Sequence, residues 1–395
     1  MLSSWYRKFA SQPHQPFFAS GMIFFILFGT LLVGIFWGSL PLNATIWQLH
    51  AYPMIFIVFI QFFLGFLFVV FPRFLMQAVI PPEVYMRHFF LFVAGSLLYT
   101  LGLFVSTPLT IAAATLLLAA QLYSFWLLFS IYRKSIVKDK KDTRWVLIAF
   151  SFGIVANISA LLSSIGVQAP LLERMAASTG FYLFLFLLIF TISQRMVPHF
   201  TEVKVAGYKV NKSPLLLETL LVLLLLKVVL TLVQRGEYEF VADIPIFLLS
   251  LRELLRWRLP VRKVPPIIWV LYLALAWIPL AFLISAAGSL AELAGSSLLF
   301  EKASLHALAL GYFLTILIGF GTRVVLGHSG RTPTADKSAV AIFLFIQLVA
   351  TTRIVAAFST NVGGYDFWVG LSAAMMVAAL LAWSARYFKI LAISF

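Results

Sequence analysis

The stretch that decides the fold is SLHALALGYFLTILIGFGTRVVLGHSGR, residues 304–331. His306 opens an apolar run, and Arg323, Gly327, His328, Gly330 and Arg331 crowd its far end. At about 1.5 Å of rise per residue, an α-helix from His306 to His328 is roughly 33 Å long, close to the thickness of a hydrocarbon core. Such a helix carries an imidazole near each face of a bilayer.

Similar runs recur on both sides of it. The chain of 395 residues is 62% apolar and only 11% charged, and the expected spans are 17–38, 50–71, 88–106, 109–132, 145–166, 174–194, 213–234, 240–256, 266–287, 303–325, 338–359 and 366–385. Length-matched apolar runs of this kind predict an all-α integral membrane protein of twelve transmembrane helices, because a helix satisfies its own backbone in lipid. The eighth span is the weakest, interrupted by Pro245, Arg252 and Glu253. The expected organisation is a single twelve-helix membrane domain over 1–395, with a cytoplasmic segment 1–16 and a cytoplasmic tail 386–395. Residues 1–16 are polar and the first apolar run is long enough to span, so no cleavable leader is expected.

The net charge is +15, from 29 Lys and Arg against 14 Asp and Glu. Of the basic residues, Arg174, Arg235 and Lys302 fall in odd-numbered connections, and Lys227 and Arg353 lie within spans. All others sit at the N-terminus, in even-numbered connections or in the span ends that adjoin them (Arg252, Arg256 and Arg323), or at the C-terminus. By the positive-inside rule this alternation places both termini in the cytoplasm, accounts for the excess charge without nucleic acid, and requires the eighth span. The basic loop 138–144 needs no partner beyond anionic lipid headgroups. Cysteine is absent, which excludes disulfides, iron–sulfur clusters, thiolate zinc sites and thiolate-ligated haem. A metal would have to sit on His, Met, carboxylate, Tyr or the backbone.

His50-Ala51 opens the second span as His306-Ala307 opens the tenth, both near the expected outer face. Opposed imidazoles from two helices are a common way to hold haem iron, so His50 and His306 are candidate ligands. Glu218, Lys227 and Arg353 are ionisable groups at membrane depth, where they are costly. Lys227 and Arg353 fall level with the two histidines and suit haem propionates, with snorkelling to the interface as the alternative. Arg195, His199, Arg323, His328 and Arg331 gather at the inner ends of the sixth and tenth spans. There His199 and His328 would hold a second haem or a copper ion, and Arg323 and Arg331 would receive its carboxylates or another anion. The plainer alternative has the arginines capping helix carbonyls and His328 filling a turn. His14 and His88 read as interfacial residues on that same side. Arg73, Arg195 and Arg323 end spans two, six and ten, at intervals of four helices, which predicts three similar four-helix units about a pseudo-threefold centre.

The motifs His306-Ala307-Leu308, Gly311 and Thr322-Arg323-Val324-Val325-Leu326-Gly327-His328-Ser329-Gly330-Arg331 closely resemble the signature of the NnrS family. Further matches are His14-Gln15-Pro16-Phe17-Phe18, His50-Ala51 with Gly65-Phe66, Arg195-Met196-Val197-Pro198 with Phe200-Thr201, and Thr352-Arg353-Ile354, in order over nearly the whole chain. The ten-residue block at 322–331 is the specific part. The resemblance implies a bacterial inner-membrane protein with haem b and copper, tied to nitric oxide, denitrification and nitrosative stress. Its fold-level relatives would be the haem–copper oxidases, with helices in three arcs. The family usually reads His-Ala-His-Glu where this chain has His50-Ala51-Tyr52-Pro53, so an imidazole and a carboxylate are missing from the outer copper position. His199 stands where the family more often has an aromatic residue.

Three function classes follow. The first is a haem protein handling nitric oxide or a related gas, in its enzymatic form an oxidoreductase taking electrons from quinol or another donor. Glu218 is the carboxylate clearly within a span, and Glu292 and Glu301 are placed to supply protons from outside. The second is a twelve-helix transporter with Lys227, Glu218 and Arg353 along its pathway. The third is a non-catalytic haem sensor or assembly factor.

Overall fold

The computed structural model describes residues 2–38, 44–298, 300, 302–361 and 364–392. Glu301 lies outside them. The described residues contain no strand. A short helix, Leu2–Phe9, precedes the long ones: α1 (His14–Phe36), α2 (Trp47–Phe74), α3 (Pro82–Val105), α4 (Thr107–Lys134), α5 (Lys141–Ser164), α6 (Ala169–Lys204), α7 (Leu216–Leu232), α8 (Phe240–Trp257), α9 (Pro266–Leu293), α10 (Ala303–His328), α11 (Lys337–Phe358) and α12 (Tyr365–Ala392). Among the described residues, ten of these helices are long and apolar enough to cross a membrane. The remaining two are α7, with 17 residues, and α8, with 18 residues that include Asp243, Arg252, Glu253 and Arg256. Each expected span is therefore helical, but the seventh and eighth are short, and α8 is rich in charge.

Local sequence accounts for the helix starts. Proline occupies the first turn of α3, α4, α6 and α9, where its missing N–H and fixed φ cost nothing. The Asp336 carboxylate caps α11 by accepting from the Ala339 amide at 3.0 Å. Helices α3 and α4 form a hairpin joined by the single extended residue Ser106, whose hydroxyl accepts from the Leu109 amide. Gly102 makes that turn possible, since a Cβ there would sit 2.6 Å from the Thr110 nitrogen. Along α3, Phe90, Leu97, Leu101 and Phe104 are exposed at helical spacing, an apolar face of the kind lipid covers.

Three helices depart from α geometry. Wider π turns occupy Trp47–Ala51 and Met54–Phe59 in α2, Thr179–Phe186 in α6 and Ala307–Leu314 in α10. These are the second, sixth and tenth helices, the same set whose expected spans end near Arg73, Arg195 and Arg323, although α6 itself continues to Lys204. π turns are rare and concentrate at functional sites.

The chain divides into two compact units, one of residues 1–32, 40–188 and 384–395, the other of 33–39 and 189–383. In the first, Gly65 lets α2 approach α1, because a Cβ would lie 2.9 Å from the Phe17 Cβ. Buried Gln61 bonds Ser20 on α1 and donates to Ser96 on α3. In the second, a Cβ at Gly311 would run into the Trp277 indole. That indole donates to Gln347 at 2.7 Å, and Gln347 donates to Thr315 at 3.0 Å, tying α9, α11 and α10 together.

Candidate functional site

In the second unit, α10 begins with one tight turn, Ala303–His306, capped by Lys302 in the left-handed region at φ 53°. The His306 amide donates to the Lys302 carbonyl at 3.1 Å, and its Nδ1 meets the same carbonyl at 3.0 Å. A carbonyl only accepts, so Nδ1 is the donor in this contact, and a neutral ring in this tautomer would have its lone pair on Nε2. This is the arrangement that orients metal-bound histidines, whose other ring nitrogen donates to a carbonyl or carboxylate. His306 is half-buried, and its turn packs against both α9 and α11. Its imidazole could serve as a haem or metal ligand.

Arg353 lies on α11, with only 6% of its surface exposed. Its guanidinium donates to the Tyr365 hydroxyl at 3.5 Å, a long and neutral contact. Lys227 does not share that position. Its ammonium already meets Glu239 at 2.5 Å, Asp243 at 2.9 Å and the Ser285 hydroxyl at 3.0 Å. It is neither snorkelling nor a receptor for propionate, because two protein carboxylates occupy it. Sequence reasoning missed Asp243, which is fully buried on α8. The periodic signal was there in Lys227, but only the short α7–α8 connection brings its partner back to it.

At the other end of α6 and α10, Arg323 lies 3.9 Å over the Phe200 ring, a cation–π contact that brings the two helix ends together. Phe200 also packs edge-on against Phe320. His199 and Arg331 are exposed and His328 is half-buried at the end of α10. Among the described residues, no group of three or more His, Asp or Glu could hold a metal ion. The donors present therefore do not fit a bound copper at this end. Thr322, inside the specific block, has a structural part: its hydroxyl accepts from the Trp383 indole at 2.9 Å. Tyr312, fully buried, donates to Ser193 at 3.0 Å and links α10 to α6.

In the first unit, His50 is half-buried in the first π turn of α2. Tyr52, two residues on, is packed face to face with Tyr99 at 4.8 Å and donates to Asn157 at 3.2 Å. Asn157 in turn donates to Gln121 at 2.8 Å. The phenol that replaces the family's imidazole is thus held in a buried network of its own, and copper does not fit here either. His14 and His88 correct the interfacial expectation, because both are fully buried. His88 stacks on Tyr123 at 4.0 Å, its Nδ1 meets the Ser124 hydroxyl at 3.0 Å, and its Nε2 has no partner among the described residues. Position near a helix start concealed this, because the first turn of α3 is covered: Tyr85 donates to the Ala10 carbonyl at 2.5 Å.

The family model described as NnrS protein matches residues 8–393 of the chain. No curated protein matches it.

Proposed function

The chain belongs to the NnrS family, and from that premise we propose that it is a haem-binding, multi-pass protein of the bacterial inner membrane that handles nitric oxide. The observation that carries this reading is the contact of His306 Nδ1 with the Lys302 carbonyl at 3.0 Å, which supports a neutral ring offering Nε2 to a metal. A haem b held there would supply one-electron redox chemistry and the capacity to bind a small gas. His306 provides the imidazole and its first turn holds the ring in place. Arg353, buried on α11, would receive a propionate. A haem with two imidazole ligands would pass electrons, whereas one with a single imidazole would bind gas. Both termini are cytoplasmic in this reading, from the distribution of Lys and Arg. Copper has no part in it.

The test is the optical spectrum of the purified protein, oxidised and dithionite-reduced, with and without nitric oxide, beside its iron and copper content. A b-type spectrum that nitric oxide shifts supports gas handling. A b-type spectrum that nitric oxide leaves unchanged makes the site an electron-transfer haem. A colourless, iron-free preparation that haem cannot reconstitute overturns the proposal and favours a transporter.

A further inference from the structure

The Lys227 cluster belongs to no part of that reading, and its charges do not balance. Lys227 comes from α7, Glu239 and Asp243 from the start of α8, and Ser285 from α9, all in the second unit. Thr231 donates to the second oxygen of Glu239 at 2.8 Å. Lys227 is 1% exposed, Asp243 0% and Glu239 19%. Fully ionised, one ammonium faces two carboxylates. The other charged groups at this end do not make up the deficit: Arg235 pairs with Glu237 at 3.3 Å. Exposed Glu292 of α9 adds a further negative charge, 3.6 Å from where a Cβ on Gly236 would be. The other charges of α7 and α8, Glu218, Arg252, Glu253 and Arg256, lie toward the opposite ends of those helices. A second observation points the same way. Asp243 Oδ1 is buried and makes no hydrogen bond of good geometry among the described residues, and the Ser285 hydroxyl beside this carboxylate is a neutral donor, a setting that an anionic carboxylate tolerates poorly.

We propose that the Lys227–Glu239–Asp243 cluster is a proton-binding site: it holds one exchangeable proton, resident on Asp243, loaded from water through the partly exposed Glu239. The proton leaves water or Glu239 as H⁺ and arrives on an Asp243 carboxylate oxygen, with no change of oxidation state. Glu239 is the intermediate carrier because it alone of the three reaches solvent. Lys227 keeps the remaining carboxylate ionised. The cluster is thereby neutral when loaded and carries one negative charge when empty. The site stands whether or not the protein binds haem.

The test is infrared spectroscopy of the full-length protein in liposomes at neutral pH, reading the protonated-carboxyl stretch by its shift in D2O, which lipid ester carbonyls lack. The wild type should show such a band. Asp243→Asn should abolish it by removing the group. Glu239→Gln should abolish it as well, because a single carboxylate then faces Lys227 and Asp243 ionises. Lys227→Met should retain it. Asp243→Asn, which mimics the loaded state, should also unfold thermally close to the wild type, while Lys227→Met unfolds lower. No D2O-sensitive band, a band indifferent to Glu239→Gln, or an Asp243→Asn protein as unstable as Lys227→Met would overturn the proposal. So would a band that appears only when sodium is removed, which would make the ligand a cation.

Discussion

Gly311 has the Trp277 indole where a side chain would be. Gly311→Ala should cost about 1–3 kcal/mol through overpacking, read as a lower thermal midpoint in detergent. Thr322→Val removes the acceptor of the buried Trp383 indole N–H and should cost about 1–3 kcal/mol, again as a lower midpoint. Neither change touches His306, so the absorption spectrum of whatever protein remains folded should not move. Both positions were visible in the sequence as members of specific motifs. Their reasons were not, because a glycine or threonine in a motif looks the same whether it meets a ligand or a neighbouring indole. His306 was legible as a candidate from its place at the head of an apolar run, but the Lys302 carbonyl that its Nδ1 meets depends on a left-handed residue no pattern announced. His88 was misjudged for the opposite reason, since a histidine near a helix start looks interfacial until the covering chain is known.

At the scale of the elements, apolar run length located the long helices and charge alternation retained the eighth, because lipid leaves the backbone no other way to satisfy itself; the short helix Leu2–Phe9 has no such run. Which face each helix presents was less legible in α2, α6 and α10. Their π turns break the period on which face assignments rest. The α7–α8 pair shows a second limit, since its charges read as interruptions of a span and several of them turn out to be held by partners. Glu253 is an example: buried to 1%, it accepts from the Ser213 amide at 3.1 Å and the Trp257 indole at 3.3 Å, and the Ser213 hydroxyl bonds it too. Beside it, Tyr208 donates to the Trp257 carbonyl at 2.8 Å. Burial pushes the Tyr208 phenol above its ordinary value and keeps it a donor. The segment between α6 and α7 is thus latched to the end of α8. Glu253→Ala should cost about 1.5–3 kcal/mol, as for hydrogen bonds to a charged group. Amide hydrogen exchange over residues 205–215 should rise, while exchange in α10 stays as it was.

For the whole molecule, the sidedness of the connections follows from charge, and the absence of cysteine makes it directly testable. Single substitutions Lys138→Cys and Arg235→Cys both fall at exposed positions. If α7 and α8 cross the membrane, an impermeant thiol reagent should label position 235 in intact cells and position 138 only after the membrane is opened. Labelling of position 235 from the side of position 204, tested with Lys204→Cys, would mean that the pair does not cross and that ten helices do. The central claim rests on one ring nitrogen. The most direct measurement is therefore the dithionite-reduced spectrum and iron content of purified wild type beside His306→Ala. A b-type Soret band with bound iron in the wild type, lost or displaced in the variant, is the predicted result. An unchanged band and full iron in His306→Ala, or a wild type that takes up no haem, would contradict it.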